Sequence, residues 1–137
     1  MKYKINKNSI KNIFDGGTII ERRNFQYNCE SYALHHNKTK WIWSEYKPED
    51  IPFLGYTKIK FKKAKRGDLV VFCDDNNTIN HYAKFIRQKK TVGNSIIISK
   101  CGAGMLWKST IAQCASSHIG YGDIVLFFKK TNKNKGA

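Results

Sequence analysis

The stretch Leu69-Val70-Val71-Phe72-Cys73, followed by Asp74-Asp75-Asn76-Asn77 and then His81-Tyr82-Ala83-Lys84-Phe85-Ile86, decides the fold. The first five residues are β-branched or apolar throughout, too short for a buried helix and bounded by turn formers, so they read as a buried strand. The Asp/Asn cluster reverses the chain, and the second run returns beside the first as an antiparallel hairpin. Upstream, Lys58-Ile59-Lys60-Phe61-Lys62 alternates with period 2 and reads as a strand with its lysines on one face, ended by the turn Arg66-Gly67-Asp68. Downstream, Gln88 to Asn94 form a turn into the strand Ser95 to Lys100. The Gly-rich loop Cys101 to Gly104 then leads through Trp107 into a short helix, Ser109 to Ser116, capped by Ser109, and Asp123 to Phe128 is the last strand.

Ahead of the strands, Asn28-Cys29-Glu30-Ser31-Tyr32-Ala33-Leu34-His35-His36 carries helix signals. Asn28 is a cap residue, Glu30 sits in the first turn, and Cys29, Ala33 and His36 share one helical face. Asn8 to Phe14 read as a short helix or irregular arm, Gly16 and Gly17 as punctuation, and Thr18-Ile19-Ile20 as a brief strand. Trp41-Ile42-Trp43, with Pro48 and Pro52 beyond, reads as an aromatic-rich loop. The expected class is α+β: an N-terminal helix bearing Cys29 packed on one face of a mostly antiparallel sheet of four to six strands.

The chain has 137 residues, the size of one domain, with a folded core expected from about 8 to 130 and a basic tail over 131–137. Apolar residues make up 41% and aromatics 13%, which excludes a disordered basic tail and requires a packed core. No segment reaches the roughly 18 apolar residues of a membrane span, and the charged N-terminus lacks a signal peptide's central run. The expected setting is a cytosol-like compartment, or release without a standard signal peptide as a toxin, phage or virus component. Cys29, Cys73, Cys101 and Cys114 are widely spaced with no CxxC pair, so they read as reduced thiols; the spacing argues against a zinc site drawn from them with His81 or His118. No metal or cofactor is expected, since the Gly102-to-Gly104 loop is not a phosphate-binding signature. Oligomeric state has no sequence signal.

Thiol catalysis needs a cysteine whose thiolate is favoured, a histidine to handle its proton, and a group to orient the imidazole. Cys29, at a helix start, is the candidate nucleophile. His81, opening a strand that packs beside it, is the candidate base, and Ser99, on the neighbouring strand, the candidate orienter. Tyr27 and Asn28 are candidate oxyanion donors, and Trp43 a candidate cleft wall with Trp41. Cys73 reads as core, and Cys101 and Cys114 as structural.

These residues resemble a known superfamily. A helix-initiating cysteine, the strand Gly67-Asp68-Leu69-Val70-Val71-Phe72 and a strand opening His81-Tyr82-Ala83 look like the papain-like amidases and peptidases of NlpC-like and CHAP-like domains. The whole stretch from Asn28 to Lys130, about three quarters of the chain, also resembles an uncharacterised group of small bacterial domains. Its pieces here are Asn28-Cys29 with Ala33-Leu34, Trp41-Ile42-Trp43, Tyr56 with Lys58-Ile59, His81-Tyr82-Ala83, Ser99-Lys100-Cys101-Gly102 and Tyr121-Gly122 with Val125. The resemblance implies a papain-like core and a cysteine hydrolase that cleaves an amide or isopeptide bond in a peptide-like or cell-wall substrate. Where cell-wall members carry Asp-Cys-Ser-Gly, this chain has Asn28-Cys29-Glu30-Ser31.

Charge supports a second function class. Lysine and arginine number 25 against 10 acidic residues, a formal +15, with six cations between Lys58 and Arg66. So small a body with that charge attracts polyanions such as nucleic acid or anionic wall polymers, and a basic binding protein without catalysis is the alternative.

Overall fold

The computed structural model describes residues 2–5, 18–101, 104–115 and 121–131. Eight strands form one sheet: β1 (Tyr3–Lys4), β2 (Thr18–Glu21), β3 (Tyr56–Ile59), β4 (Leu69–Cys73), β5 (Ile79–Arg87), β6 (Ile96–Lys100), β7 (Leu106–Thr110) and β8 (Ile124–Lys130). Their order is β1-β8-β4-β5-β6-β7-β2, with β3 also on β8, and every pairing is antiparallel. Only two α-helices stand among the described residues, α1 (Cys29–Ala33) and α2 (Ile111–Ala115), each of five residues. The expected α+β class with a sheet of four to six strands is therefore corrected: this is an antiparallel-sheet protein of eight strands, and one and a half helical turns make no layer.

The correction has local causes. The helix at Cys29 stops at its cap Leu34 because His36 takes a left-handed conformation at φ 52° and turns the chain. Trp107 and Ser109, expected in a loop and at a helix cap, lie in β7, and α2 starts two residues after Ser109; Thr110 Oγ1, not Ser109, accepts from the Gln113 N–H. The lysine-rich strand ends at Ile59, after which Phe61–Lys63 form a 3₁₀ turn. Pro48–Leu54, expected as loop, are a 3₁₀ helix with Pro48 in its first turn. Tyr3 and Lys4, expected outside the core, pair with Val125 and Ile124. The predicted Asn8–Phe14 segment, the Gly16–Gly17 punctuation, His118 and the tail from 132 onward lie outside the described residues.

The expected hairpin is present. β4 and β5 pair from Leu69↔Lys84 to Phe72↔His81, and β4 is buried at all five positions because both sheet faces are covered. On one face Leu69, Val71, Tyr82, Leu126 and Phe128 pack under α1 and the Pro48–Leu54 turn. On the other Val70, Phe72, Ala83, Phe85, Ile97 and Phe127 pack under α2 and Tyr121. No helix among the described residues is long and apolar enough to cross a membrane.

Candidate active site

Cys29 opens α1 because Asn28 caps it: the Asn28 Oδ1 accepts from the Ser31 N–H at 2.9 Å and from the Ser31 hydroxyl at 2.8 Å. The helix lies on β5 and β6, which brings Cys29 to the backbone of Tyr82, the residue after His81. Burial pushes the thiol up to about 12; the backbone N–H groups of Tyr82 and Glu30 at the sulfur act in the opposite direction, and the Glu30 carboxylate adds to the rise. A five-residue helix carries little dipole, and the helix-start lowering expected from the sequence does not offset the burial.

His81 is the third residue of β5, reached through a bulge. Phe72 pairs with His81 but Cys73 pairs with Ile79, which leaves Asn80 as the extra residue and turns the strand at the sheet end. The imidazole is fully buried, lies flat on the Tyr121 ring with centroids 3.7 Å apart, and has no hydrogen-bond partner on either nitrogen among the described residues. Burial lowers its pKa to about 3, so the ring is neutral. Cys29 and His81 line one cavity of about 230 Å³ with Asn28, Trp41, Trp43, Asn80, Cys101 and Tyr121, without a hydrogen bond between thiol and imidazole.

The aromatic wall is hung on the residues that follow the cysteine. Ser31 Oγ accepts from the Ile42 N–H at 2.9 Å. The buried Glu30 carboxylate accepts from the Ser44 N–H at 2.8 Å and the Ser44 hydroxyl at 2.7 Å, and its Oε2 lies 2.8 Å from His35 Nε2. Trp41 and Trp43 are thereby held at the cavity while about half exposed, Trp43 edge-on to Tyr82 at 6.3 Å.

Of the expected site residues, Cys29, His81, Asn28 and Trp43 meet in this cavity and two do not. Ser99 Oγ lies 3.8 Å from Cys114 Sγ and makes no bond to His81, so it does not orient the ring. Tyr27 does not line the cavity: its hydroxyl donates to Glu21 at 2.6 Å, and its carbonyl accepts from the buried Lys100 Nζ at 2.8 Å. Asn28 spends its side-chain oxygen on Ser31. Sequence reasoning missed Asn80, Cys101 and Tyr121. Burial raises the Cys101 thiol, and the Tyr121 and Trp107 side chains act in the opposite direction. Both residues fall in the short pieces Ser99-Lys100-Cys101-Gly102 and Tyr121-Gly122, which was the available signal. No group of three His, Cys, Asp or Glu side chains among the described residues is placed to hold a metal ion.

Fold and cavity together define an antiparallel-sheet protein with a thiol and a neutral imidazole at one aromatic-walled cavity. The chain belongs to a family described as a domain of unknown function, DUF7689, whose model matches residues 18–129. No curated protein and no solved structure matches it.

Proposed function

We propose that this cavity performs thiol-dependent cleavage of an amide or isopeptide bond. The observation that carries the reading is the convergence, at one cavity, of a buried cysteine at a helix start and a histidine whose ring nitrogens are both without a hydrogen-bond partner among the described residues. A neutral imidazole with free nitrogens accepts a proton; one already spent on a structural partner does not. In the reaction Cys29 Sγ attacks the carbonyl carbon while its proton passes to His81. The tetrahedral oxyanion collapses as His81 gives that proton to the leaving amine, and water with His81 as base hydrolyses the thioester. The transfer requires the imidazole to come within hydrogen-bond reach of the sulfur, which calls for a shift off the Tyr121 ring when substrate fills the cavity.

The test is release of fluorophore from a panel of acyl-aminomethylcoumarin amides and ε-linked isopeptides, by the wild type and by Cys29→Ala and His81→Gln. Turnover by the wild type, lost in both variants, supports the reading. Turnover that survives Cys29→Ala, or none on any member of the panel, overturns it.

A further inference from the structure

A second cavity lies elsewhere on the sheet and has a different chemistry. It measures about 230 Å³ and is lined by Ile86, Arg87, Lys89, Ile96, Lys108, Ser109 and Thr110. Register explains the grouping. Arg87 pairs with Ile96 and Ile96 with Thr110, while Ile98, two residues along β6, pairs with both Lys84 and Lys108. Arg87 and Lys108 therefore rise from strands two apart, about 10 Å across the sheet, over a floor that includes Ile96. A register shift between Phe85 and Arg87 leaves Ile86 as an extra residue in β5 beside this floor. Lys89 follows in the turn, held by its backbone N–H on Ser95 Oγ at 3.0 Å.

Three cations meet here and no acidic side chain among the described residues lines the cavity. The ion pairs of the described residues are Lys4–Asp123, His35–Glu30 and Lys38–Glu21, so Arg87, Lys89 and Lys108 have no carboxylate within 4.0 Å among those residues. Thr110 Oγ1 accepts from the Gln113 N–H, which leaves its own proton free to donate. Like charges gathered without counter-charges repel one another, and an anion between them relieves the cost.

We infer that this groove between β5, β6 and β7 is a binding site for a phosphate group. A guanidinium fork and an ammonium at the β5 end, with an ammonium and a hydroxyl donor on β7, match the several acceptor oxygens of a tetrahedral anion. The anion is either a free phosphate or one unit of a phosphodiester chain. The site also relocates the sequence-based polyanion reading: the Lys58–Arg66 run lies on β3 and the turn beyond it, and its cations do not line this groove. The inference does not depend on thiol chemistry, since none of the seven lining residues borders the cavity of Cys29.

The experiment is a titration of the ¹⁵N-labelled chain, followed by amide and Arg Nε resonances, with inorganic phosphate in one arm and an oligothymidylate in the other. Sodium chloride holds the ionic strength constant. Saturable shifts confined to residues 86–89, 96 and 108–110, weakened about tenfold in Arg87→Gln/Lys108→Gln and unchanged in Cys29→Ala, are expected. An oligonucleotide that binds much more tightly than phosphate identifies a phosphodiester chain as the source, and equal affinity identifies free phosphate. Shifts spread over exposed cations everywhere, or unaffected by the double substitution, overturn the site. Both substituted residues are exposed, and an unchanged amide spectrum outside the groove verifies that the variant folds.

Discussion

Removing the titration of His81 should flatten the acid sensitivity of this protein by a calculable amount. The imidazole is buried without a hydrogen bond and its pKa falls from about 6.5 to about 3 because burial disfavours the cation. In the unfolded chain the same ring takes a proton near pH 6.5. Between pH 6.5 and 3 the unfolded state thus binds the extra proton, and folding stability drops as pH falls through that window. At pH 5 the unfolded ring is almost fully charged and the folded one almost fully neutral, a difference of about 1.5 pK units or about 2 kcal/mol; by pH 3 the loss approaches about 5 kcal/mol. The assay is urea unfolding at pH 7.5 and 5.0 for the wild type and His81→Phe, which keeps a flat ring on Tyr121 but cannot titrate. With a urea slope of about 2 kcal/mol per molar, the wild-type midpoint falls by about 1 M more than the variant's. The other histidines and the carboxylates contribute to both proteins and cancel in the difference. Equal pH dependence in the two chains would refute the buried imidazole held neutral by its surroundings.

Three further outcomes test the packing around the cavity. Cys29, held up at about 12, should be alkylated by iodoacetamide about tenfold faster per pH unit from 7 to 10 without a plateau, and peptide mass spectrometry that finds a plateau below pH 9 contradicts the burial argument. Gly122 sits at φ 99° with its missing Cβ aimed into the Cys73 carbonyl oxygen, so Gly122→Ala should lose about 3 kcal/mol or more. Gly67→Ala, strained at φ 93° but with open space, should lose about 1 kcal/mol; equal thermal shifts would disprove the close approach. Glu30→Gln exchanges one carboxylate oxygen for an amide N–H₂ that cannot accept from Ser44 or His35, with an expected cost of about 1–3 kcal/mol. Acrylamide should then quench Trp41 and Trp43 more strongly, and unchanged quenching would show that Glu30 does not hold the strap.

The sequence made the centre of the sheet legible and left its margins dark, for a physical reason. β4 and β5 join through a short polar turn, so their pairing follows from adjacent residues, and five consecutive buried positions leave no other reading of Leu69–Cys73. β1 pairs with β8, more than a hundred residues away, and two residues such as Tyr3 and Lys4 have no periodicity of their own. In β7, Leu106-Trp107-Lys108-Ser109-Thr110 alternates weakly, and a serine ahead of Ile111-Ala112 looks like a helix cap; pairing with β6 overrides that local signal. The helix was overextended because His35 and His36 break no propensity rule, while the left-handed turn at His36 and the His35–Glu30 contact are set by tertiary neighbours.

The candidate site was legible in proportion to how locally each residue is positioned. Cys29 and Asn28 follow from one capping interaction, and His81 from the strand after the Asp/Asn turn. Ser99 does not orient the ring because the ring nitrogens of His81 have no hydrogen-bond partner among the described residues, which no spacing rule announces. Cys101 and Tyr121 reach the cavity only because β6 and β8 run on either side of the β4–β5 hairpin, a consequence of topology. Glu30 and Ser31, the two residues after Cys29, hold the Trp41–Ser44 strap. A thiol raised by burial and an imidazole lowered by burial, lining one cavity, are both neutral at rest. Charge separation between them is unfavourable until something in the cavity compensates it, so in the proposed reaction the proton moves together with attack on the carbonyl rather than before it. Under the proposed reaction, Cys29 would be slow toward small alkylating agents and would react with a ligand that fills the cavity lined by Trp43 and Tyr121.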